Sequence, residues 1–366
     1  MASRQGKQSI VIMAGGTGGH VFPGLAVAHE LSQAGVEIHW LGTQRGIESR
    51  LVPAAGYALH FLSVEGVRGR GLLSWLKAPF LLLMALQQAL RVLSKTRPGC
   101  VLGMGGFAAG PGAVAAKLLG LPLVLHEQNA VIGTTNKLLA PVANRRLQGF
   151  PGTFKQQRDT YYVGNPLRHE LLEELDEANT AQRTNGAIRI FVLGGSRGAA
   201  ALNTTLPTLL ATLRERYELQ FEVQHQTGEV QRDDVEASYK ALKIDAQVSS
   251  FIDKMAAVYR WADVVICRAG AMTVAELAAA GKASVLVPYP YAIDDHQTMN
   301  ANWLVKKQAG FLVQQDDLLQ ESTLEKLGEL LVSRNSLQAM GRNAAGLAQR
   351  EATERVAAHC LELANG

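Results

Sequence analysis

The chain has 366 residues, of which 47% are hydrophobic and 19% charged, with a formal net charge of +4. That length exceeds one ordinary core and suits two Rossmann-sized halves, and the composition excludes a disordered chain. Three cysteines, Cys100, Cys267 and Cys360, are too few and too scattered for a disulfide framework or a metal cluster.

The stretch 1–9 is polar and basic with no apolar h-region, so no signal peptide is expected. The longest apolar run, 78–86, is far short of the roughly 20 residues that span a bilayer. The mild positive charge favours phosphorylated ligands or an anionic membrane. Nucleic acid ranks last, because no aromatic-basic repeat offers stacking for bases.

Short apolar runs alternate with helical patterns, the mark of a parallel α/β sheet. Strands are expected at 9–14, 37–41, 58–62, 100–102 and 123–126, with helices at 23–34, 74–93 and 111–119. Pro23 suits a first helical turn, where its missing N–H is not needed. The pattern restarts at 188–193, with further strands at 221–224, 264–267 and 284–288. Two such openings imply two similar domains, 1–163 and 164–343, followed by a C-terminal helix over 344–366 that could belong to either domain, packing back on the first being one option. Between them 162–166, with Asn165 before Pro166, reads as a hinge.

Three glycine loops follow strands: Gly15 to His20, Gly103 to Ala108, and Gly194 to Ala199. Glycine lets backbone amides and a helix N-terminus approach an anionic ligand, although one such loop alone is explained by a tight turn. The second loop matches G-x-G-x-x-A, with Glu127 at a distance suited to a cofactor ribose. A nicotinamide cofactor is nevertheless disfavoured. That loop comes late in its domain, and strand two ends at Gly42-Thr43-Gln44 with no carboxylate.

The stretch Cys267 to Glu276 carries a strand end, a turn at Gly270 and a helix starting near Thr273. Thr273 and Glu276 have capping-box spacing, so Glu276 either caps its own helix or accepts hydrogen bonds from a ribose diol. The amides of this helix start suit a diphosphate, with Arg268 or Arg197 adding charge. Asp294, Asp295 and His296 do not complete a metal-ligand set and there is no D-x-D pair, so Gln297 and Asn300 are read as partners of sugar hydroxyls and no metal site is expected.

Five motifs, Gly15 to His20, His126 to Asn129, Gly164 to Arg168, Gly194 to Ala199 and Cys267 to Glu276, occur in an order that resembles the MurG family of bacterial N-acetylglucosaminyltransferases, which form lipid II. The resemblance covers essentially the whole chain. It implies the GT-B fold, two Rossmann-like α/β domains facing a cleft, with an acceptor- and membrane-associating N-terminal domain and the donor in the C-terminal one. It also implies inverting transfer of N-acetylglucosamine from its UDP donor to lipid I, without metal or other cofactor, by a peripheral protein at the cytoplasmic face of the cell membrane. Other cell-wall and division proteins would be its partners. Carried over by motif, Thr17, Gly18 and Gly19 would lie near the diphosphates, and Asn129, Arg168 and Ser196 would contact the donor. Ile252 would offer backbone groups to uracil. Ala271, Met272, Thr273, Val274, Ala275 and Glu276 would hold diphosphate and ribose, and Gln297 the sugar. The chain departs from the family pattern at Phe107, Ala109 and Ala269, where Tyr, Ser and Ser are usual, so any hydroxyl contact there is lost or passes to backbone amides. Rival readings are another GT-B lipid glycosyltransferase, a UDP-sugar 2-epimerase, or a sugar-nucleotide binding module without turnover.

Transfer needs a base for the acceptor hydroxyl, and His20 and Glu127 are the candidates. Leu72, Leu73, Trp75, Leu76 and Phe80 form an apolar stretch flanked by Arg68, Arg70, Lys77 and Arg91. An apolar face with a basic rim reads as an interfacial anchor, against the alternative of a helix packed into the core.

Overall fold

The computed structural model describes residues 8–64, 72–155, 158–177, 186–194 and 199–366, with the side chains of 72–78 excepted. The chain forms two compact units, Met1–Arg168 with Gln349–Gly366, and His169–Ala348.

The first unit runs β1 (Ser9–Ala14), α1 (Gly18–Gln33), β2 (Glu37–Gly42), α2 (Glu48–Ala54), β3 (Ala58–Phe61), α3 (Leu72–Thr96), β4 (Cys100–Gly105), α4 (Ala109–Leu118), β5 (Leu123–Glu127), α5 (Thr134–Leu139), β6 (Arg145–Gln148) and β7 (Thr160–Tyr162). Its parallel sheet has the order β3-β2-β1-β4-β5-β6-β7. Both faces are covered, so β1 reads as a continuous apolar run: Ile10 and Ile12 enter one core, Val11 and Met13 the other. The sequence reading misses β6 and β7, which are short and polar. It also starts α1 too late. The helix begins at Gly18, and Pro23 lies inside it, where its absent N–H forgoes a bond to the Gly19 carbonyl.

The second unit runs α6 (His169–Asp176), β8 (Ile188–Leu193), α7 (Ala200–Tyr217), β9 (Phe221–Gln226), α8 (Arg232–Ala241), β10 (Asp245–Ser249), α9 (Met255–Trp261), β11 (Val264–Cys267), α10 (Ala271–Ala280), β12 (Ala283–Leu286), α11 (His296–Val305), β13 (Phe311–Leu312), α12 (Glu321–Val332) and α13 (Arg334–Ala345). The sheet order is β10-β9-β8-β11-β12-β13. The chain then returns to the first unit as α14 (Ala352–Asn365), whose Val356, Ala357 and Cys360 enter the core beneath α1 and β4. The helix read over 344–366 is thus the end of α13 and the whole of α14, broken between Ala345 and Ala352.

In each sheet the strand order reverses once, between β1 and β4 and between β8 and β11. Ligands of open α/β sheets bind outside the strand C-termini at such a switch point. The first and second glycine loops leave β1 and β4, and the third and the Gly270 turn leave β8 and β11. The 162–166 stretch, read as a hinge, is largely buried in the first unit. Val163 lies in its core, and Asn165 donates to the Gln128 carbonyl at 3.0 Å.

Candidate active site

In the first unit the two switch-point loops press on one another. Gly105 and Gly106 have φ of 101° and 84°, a region open to glycine. A Cβ on Gly105 would come within 2.9 Å of the His20 ring, and one on Gly106 would strike the Gly15 carbonyl. Thr17 caps α1 in an extended conformation, and its carbonyl accepts from the N–H groups of His20 and Val21, each at 3.2 Å. The N–H groups of Gly18 and Gly19 open the helix, where no intrahelical acceptor exists and the dipole favours an anion. His20 is therefore in the first turn, half-buried, with Nδ1 2.9 Å from Gln128 Oε1.

Not every amide of the first loop faces outward. Glu48 of α2 is fully buried beneath it and accepts from Gly16 N–H at 3.0 Å, and from Thr43 N–H and hydroxyl at 2.8 Å each. The sequence reading missed Glu48, because nothing in a helix-start glutamate tells which loop folds over it.

Glu127, at the end of β5, is 2% exposed and takes four hydrogen bonds. Asn129 gives its N–H at 3.1 Å and side-chain amide at 3.3 Å to Oε1. Gly133 N–H at 3.0 Å and Asn136 Nδ2 at 2.9 Å reach Oε2. A carboxylate has about four lone-pair sites, so this one is committed to holding the 128–136 loop. Asn129 stands on that loop, half-buried, and Arg168 is exposed at the end of the unit.

In the second unit Gly270 is the N-cap of α10 and the helix starts at Ala271, two residues before the expected Thr273. Its first intrahelical bond is Val274 N–H to the Gly270 carbonyl at 2.9 Å, so the backbone N–H groups of Ala271, Met272 and Thr273 form the first turn. Glu276 consequently lies beyond the first turn, outside the position that a capping box would give it. Its Oε2 accepts from the Tyr259 hydroxyl at 2.9 Å, and burial pushes the Tyr259 phenol well above its usual range, which keeps it a donor. Val274 is buried; Met272, Thr273 and Ala275 are half-buried.

Arg268 is turned into the end of β12. It donates to the carbonyls of Val287 at 3.2 Å and Pro288 at 3.0 Å and to Gln315 at 2.7 Å, and its guanidinium lies 5.5 Å from the Tyr289 ring centre. It braces the loop that leads from β12 to α11, and Gln297 in the first turn of α11 accepts at Oε1 from Tyr289 N–H of that loop at 2.9 Å. Asn300 is fully buried and donates to the Ala269 carbonyl at 3.1 Å, so it supports the entry to α10 from behind. Ile252 N–H is taken by Gln226 at 3.1 Å, leaving the Ile252 carbonyl as the group it offers. His296 Nδ1 donates to the Ile293 carbonyl at 2.7 Å. Most of the third glycine loop, with Ser196 and Arg197, lies outside the described residues.

Two parallel α/β units, each with glycine turns and a helix N-terminus at its switch point, define the class of GT-B glycosyltransferases. Residues 10–148 match the glycosyltransferase family 28 N-terminal domain and residues 189–356 its C-terminal domain. The chain belongs to that family and, within it, to the MurG transferases. It is 48% identical to a protein of Nitrosococcus oceani named UDP-N-acetylglucosamine–N-acetylmuramyl-(pentapeptide) pyrophosphoryl-undecaprenol N-acetylglucosamine transferase, over 98% of this chain and 99% of the relative. The crystal structure of Acinetobacter baumannii MurG is 37% identical, with a TM-score of 0.82 and coverage of 97% of this chain and 99% of that one. A UDP-N-acetylglucosamine 2-epimerase also aligns, with a TM-score of 0.62 over 96% of this chain and 94% of its own, but at 12% identity that likeness extends to the fold alone.

Proposed function

We propose that the protein transfers N-acetylglucosamine from UDP-N-acetylglucosamine to lipid I, undecaprenyl-diphospho-N-acetylmuramyl-pentapeptide, with inversion, giving lipid II and UDP for peptidoglycan synthesis. The observation that carries this reading is 48% identity along 98% of the chain to a transferase named for that reaction. The first unit binds lipid I and the second the donor. Thr17, Gly18 and Gly19 meet diphosphate at the start of α1. Glu276 receives the ribose diol, the first turn of α10 the donor diphosphate, the Ile252 carbonyl the uracil and Gln297 the sugar. Ser196 adds a donor contact in the second unit.

His20 is the base. As the acceptor oxygen bonds to the anomeric carbon, its proton passes to the imidazole, and the bond to UDP breaks on the opposite face of the sugar. The transition state is oxocarbenium-like and the electron pair leaves on phosphate, where helix-start amides stabilise it. Glu127 holds the loop beside the base. Incubation with radiolabelled UDP-N-acetylglucosamine and a short-chain lipid I analogue is expected to label the glycolipid and release UDP at a rate unchanged by chelator. UDP release without labelled glycolipid, or 2-epimerised donor in the absence of acceptor, would sink the reading.

The acceptor's polyprenyl chain lies in a membrane, and the first unit has a surface to meet one. Among the described residues no helix is long and apolar enough to cross it. Leu72, Leu73, Trp75 and Leu76 open α3, and their side chains lie outside the described set. Further along the same helix Phe80 is 66% and Leu83 62% exposed. On α4, which packs on α3, Leu118 is 66% exposed, and on α5, which packs on α4, Leu138 is 74% exposed. Exposed Arg91, Lys117 and Lys137 lie on the same three helices. Apolar burial at about 25 cal/mol per Å² adds to about 1 kcal/mol per basic residue near an anionic leaflet. Such a surface supports the reading of a peripheral protein at the cytoplasmic face. Replacing Phe80 and Leu83 with glutamate is expected to weaken sedimentation with anionic vesicles at least tenfold and to slow turnover of membrane-borne lipid I. Activity on a water-soluble acceptor should stay near normal. Unchanged vesicle binding by the folded variant would place the anchor elsewhere.

A further inference from the structure

His20, Gln128, His126 and the Gly164 carbonyl form one chain of hydrogen bonds, and each link limits the next. A backbone carbonyl only accepts, so His126 Nε2, 2.9 Å from the Gly164 oxygen, must carry a proton. His126 is fully buried, and burial lowers its pKa to about 4, so the ring is neutral and its Nδ1 is an acceptor. Gln128 Nε2 stands 3.0 Å from that Nδ1 and 3.3 Å from the His126 carbonyl. Two acceptors side by side fix the nitrogen end of the amide there. The Gln128 oxygen must therefore face His20 Nδ1, 2.9 Å away, and it accepts. A neutral His20 is left with its proton on Nδ1 and its lone pair on Nε2, which takes no partner among the described residues.

We infer that Gln128 and His126 are positioning residues that hold His20 in its Nδ1–H tautomer, so that Nε2 is the basic nitrogen. The inference rests on His20 being the base, as proposed above. The arrangement differs from the usual acid-base pair, in which a carboxylate orients the histidine and also stabilises its cation. Here a neutral amide sets the tautomer and adds no negative charge. The surroundings keep that neutrality. Glu48 is spent on Gly16 and Thr43, and Glu127 on its own loop. The second glycine loop carries no ionisable side chain. On α14, which packs on α1, Arg355 bonds the Tyr162 carbonyl and His359 faces Arg145. Gly164 completes the device from the far side. Its φ of 88° is a conformation suited to glycine, and a Cβ there would collide with Gln349.

The test reads the imidazole directly. Protein labelled with ¹⁵N-histidine, with His20 assigned by substitution, is expected to show the His20 Nδ1–H tautomer in long-range ¹H–¹⁵N spectra. In Gln128→Leu the signal should move toward Nε2–H, and kcat should fall about 10²-fold with both KM values within a factor of two; a wrong tautomer in a serine-protease triad costs up to about 10⁴. A merely structural role for Gln128 would move the melting temperature and leave the tautomer alone. An Nε2–H tautomer in the unmodified protein overturns the inference whether or not the variant folds. So do an unchanged tautomer and kcat in Gln128→Leu when His20→Ala has lost its activity. Full kcat in His20→Ala would instead overturn the assignment of the base.

Discussion

Replacing His20 with alanine is expected to lower kcat about 10²–10⁴-fold, the usual worth of a positioned general base, while the fold survives. The ring is half-buried and bonds Gln128, while the His20 backbone N–H bonds the Thr17 carbonyl. Truncation therefore leaves a small gap beside Gly105 and one amide oxygen short of a donor. The matching change at Glu127 should fail differently. Four donors converge on that carboxylate in a nearly sealed site, and each one left unpaired costs about 1–3 kcal/mol. Glu127→Ala should therefore lose several kcal/mol of stability, and activity should fall because the 128–136 loop loosens. Circular dichroism, melting temperature and kcat on both variants separate the cases. A stable Glu127→Ala protein with a 10³-fold lower kcat, alongside an active His20→Ala protein, would exchange the two roles.

The sequence made the frame legible because buried parallel strands announce themselves. Residues 9–14, 188–193 and 264–267 are uninterrupted or nearly uninterrupted apolar runs, and the structure forms strands at those positions. Strands with a polar face or at an edge do not stand out. Arg145–Gln148 owes its place to pairing between β5 and β7, and Asp245–Ser249 to pairing along β9. The glycine turns and the two candidate bases could be read because they sit in local motifs. What those side chains do there could not. Capping-box spacing offered Glu276 a role that vanished once α10 began at Ala271. Glu127, Arg268 and Asn300 each carry the chemistry of a ligand contact, and each is bonded to nearby protein groups. Glu48 and Tyr259 drew no attention, and Gln128 was read only as a member of a motif, because their partners lie 32, 17 and 108 residues away, at separations that local spacing rules do not reach.

Glu276→Ala is expected to raise the KM for UDP-N-acetylglucosamine between about tenfold and several hundredfold with a smaller change in kcat. A hydrogen bond to a charged acceptor is worth about 1.5–3 kcal/mol, and about 1.4 kcal/mol is tenfold in affinity. The ribose does not react, so its contacts act mainly on binding. Stability will also move, for a reason other than capping. The N-cap of α10 is Gly270, but the buried Tyr259 hydroxyl loses its acceptor at Glu276, at a cost of about 1–3 kcal/mol. That coupling supplies the decisive control. In the double variant Tyr259→Phe with Glu276→Ala, the orphaned hydroxyl is gone, so the melting temperature should recover toward that of Tyr259→Phe alone. The donor KM should stay high, because no carboxylate has returned to the ribose. Tyr259→Phe by itself keeps the carboxylate and should raise KM only a few fold, through a less firmly held Glu276. Melting curves and donor KM on the three variants decide between the readings. If KM falls back together with the recovered stability, Glu276 is a brace for α9 and α10, and the ribose contact lies elsewhere.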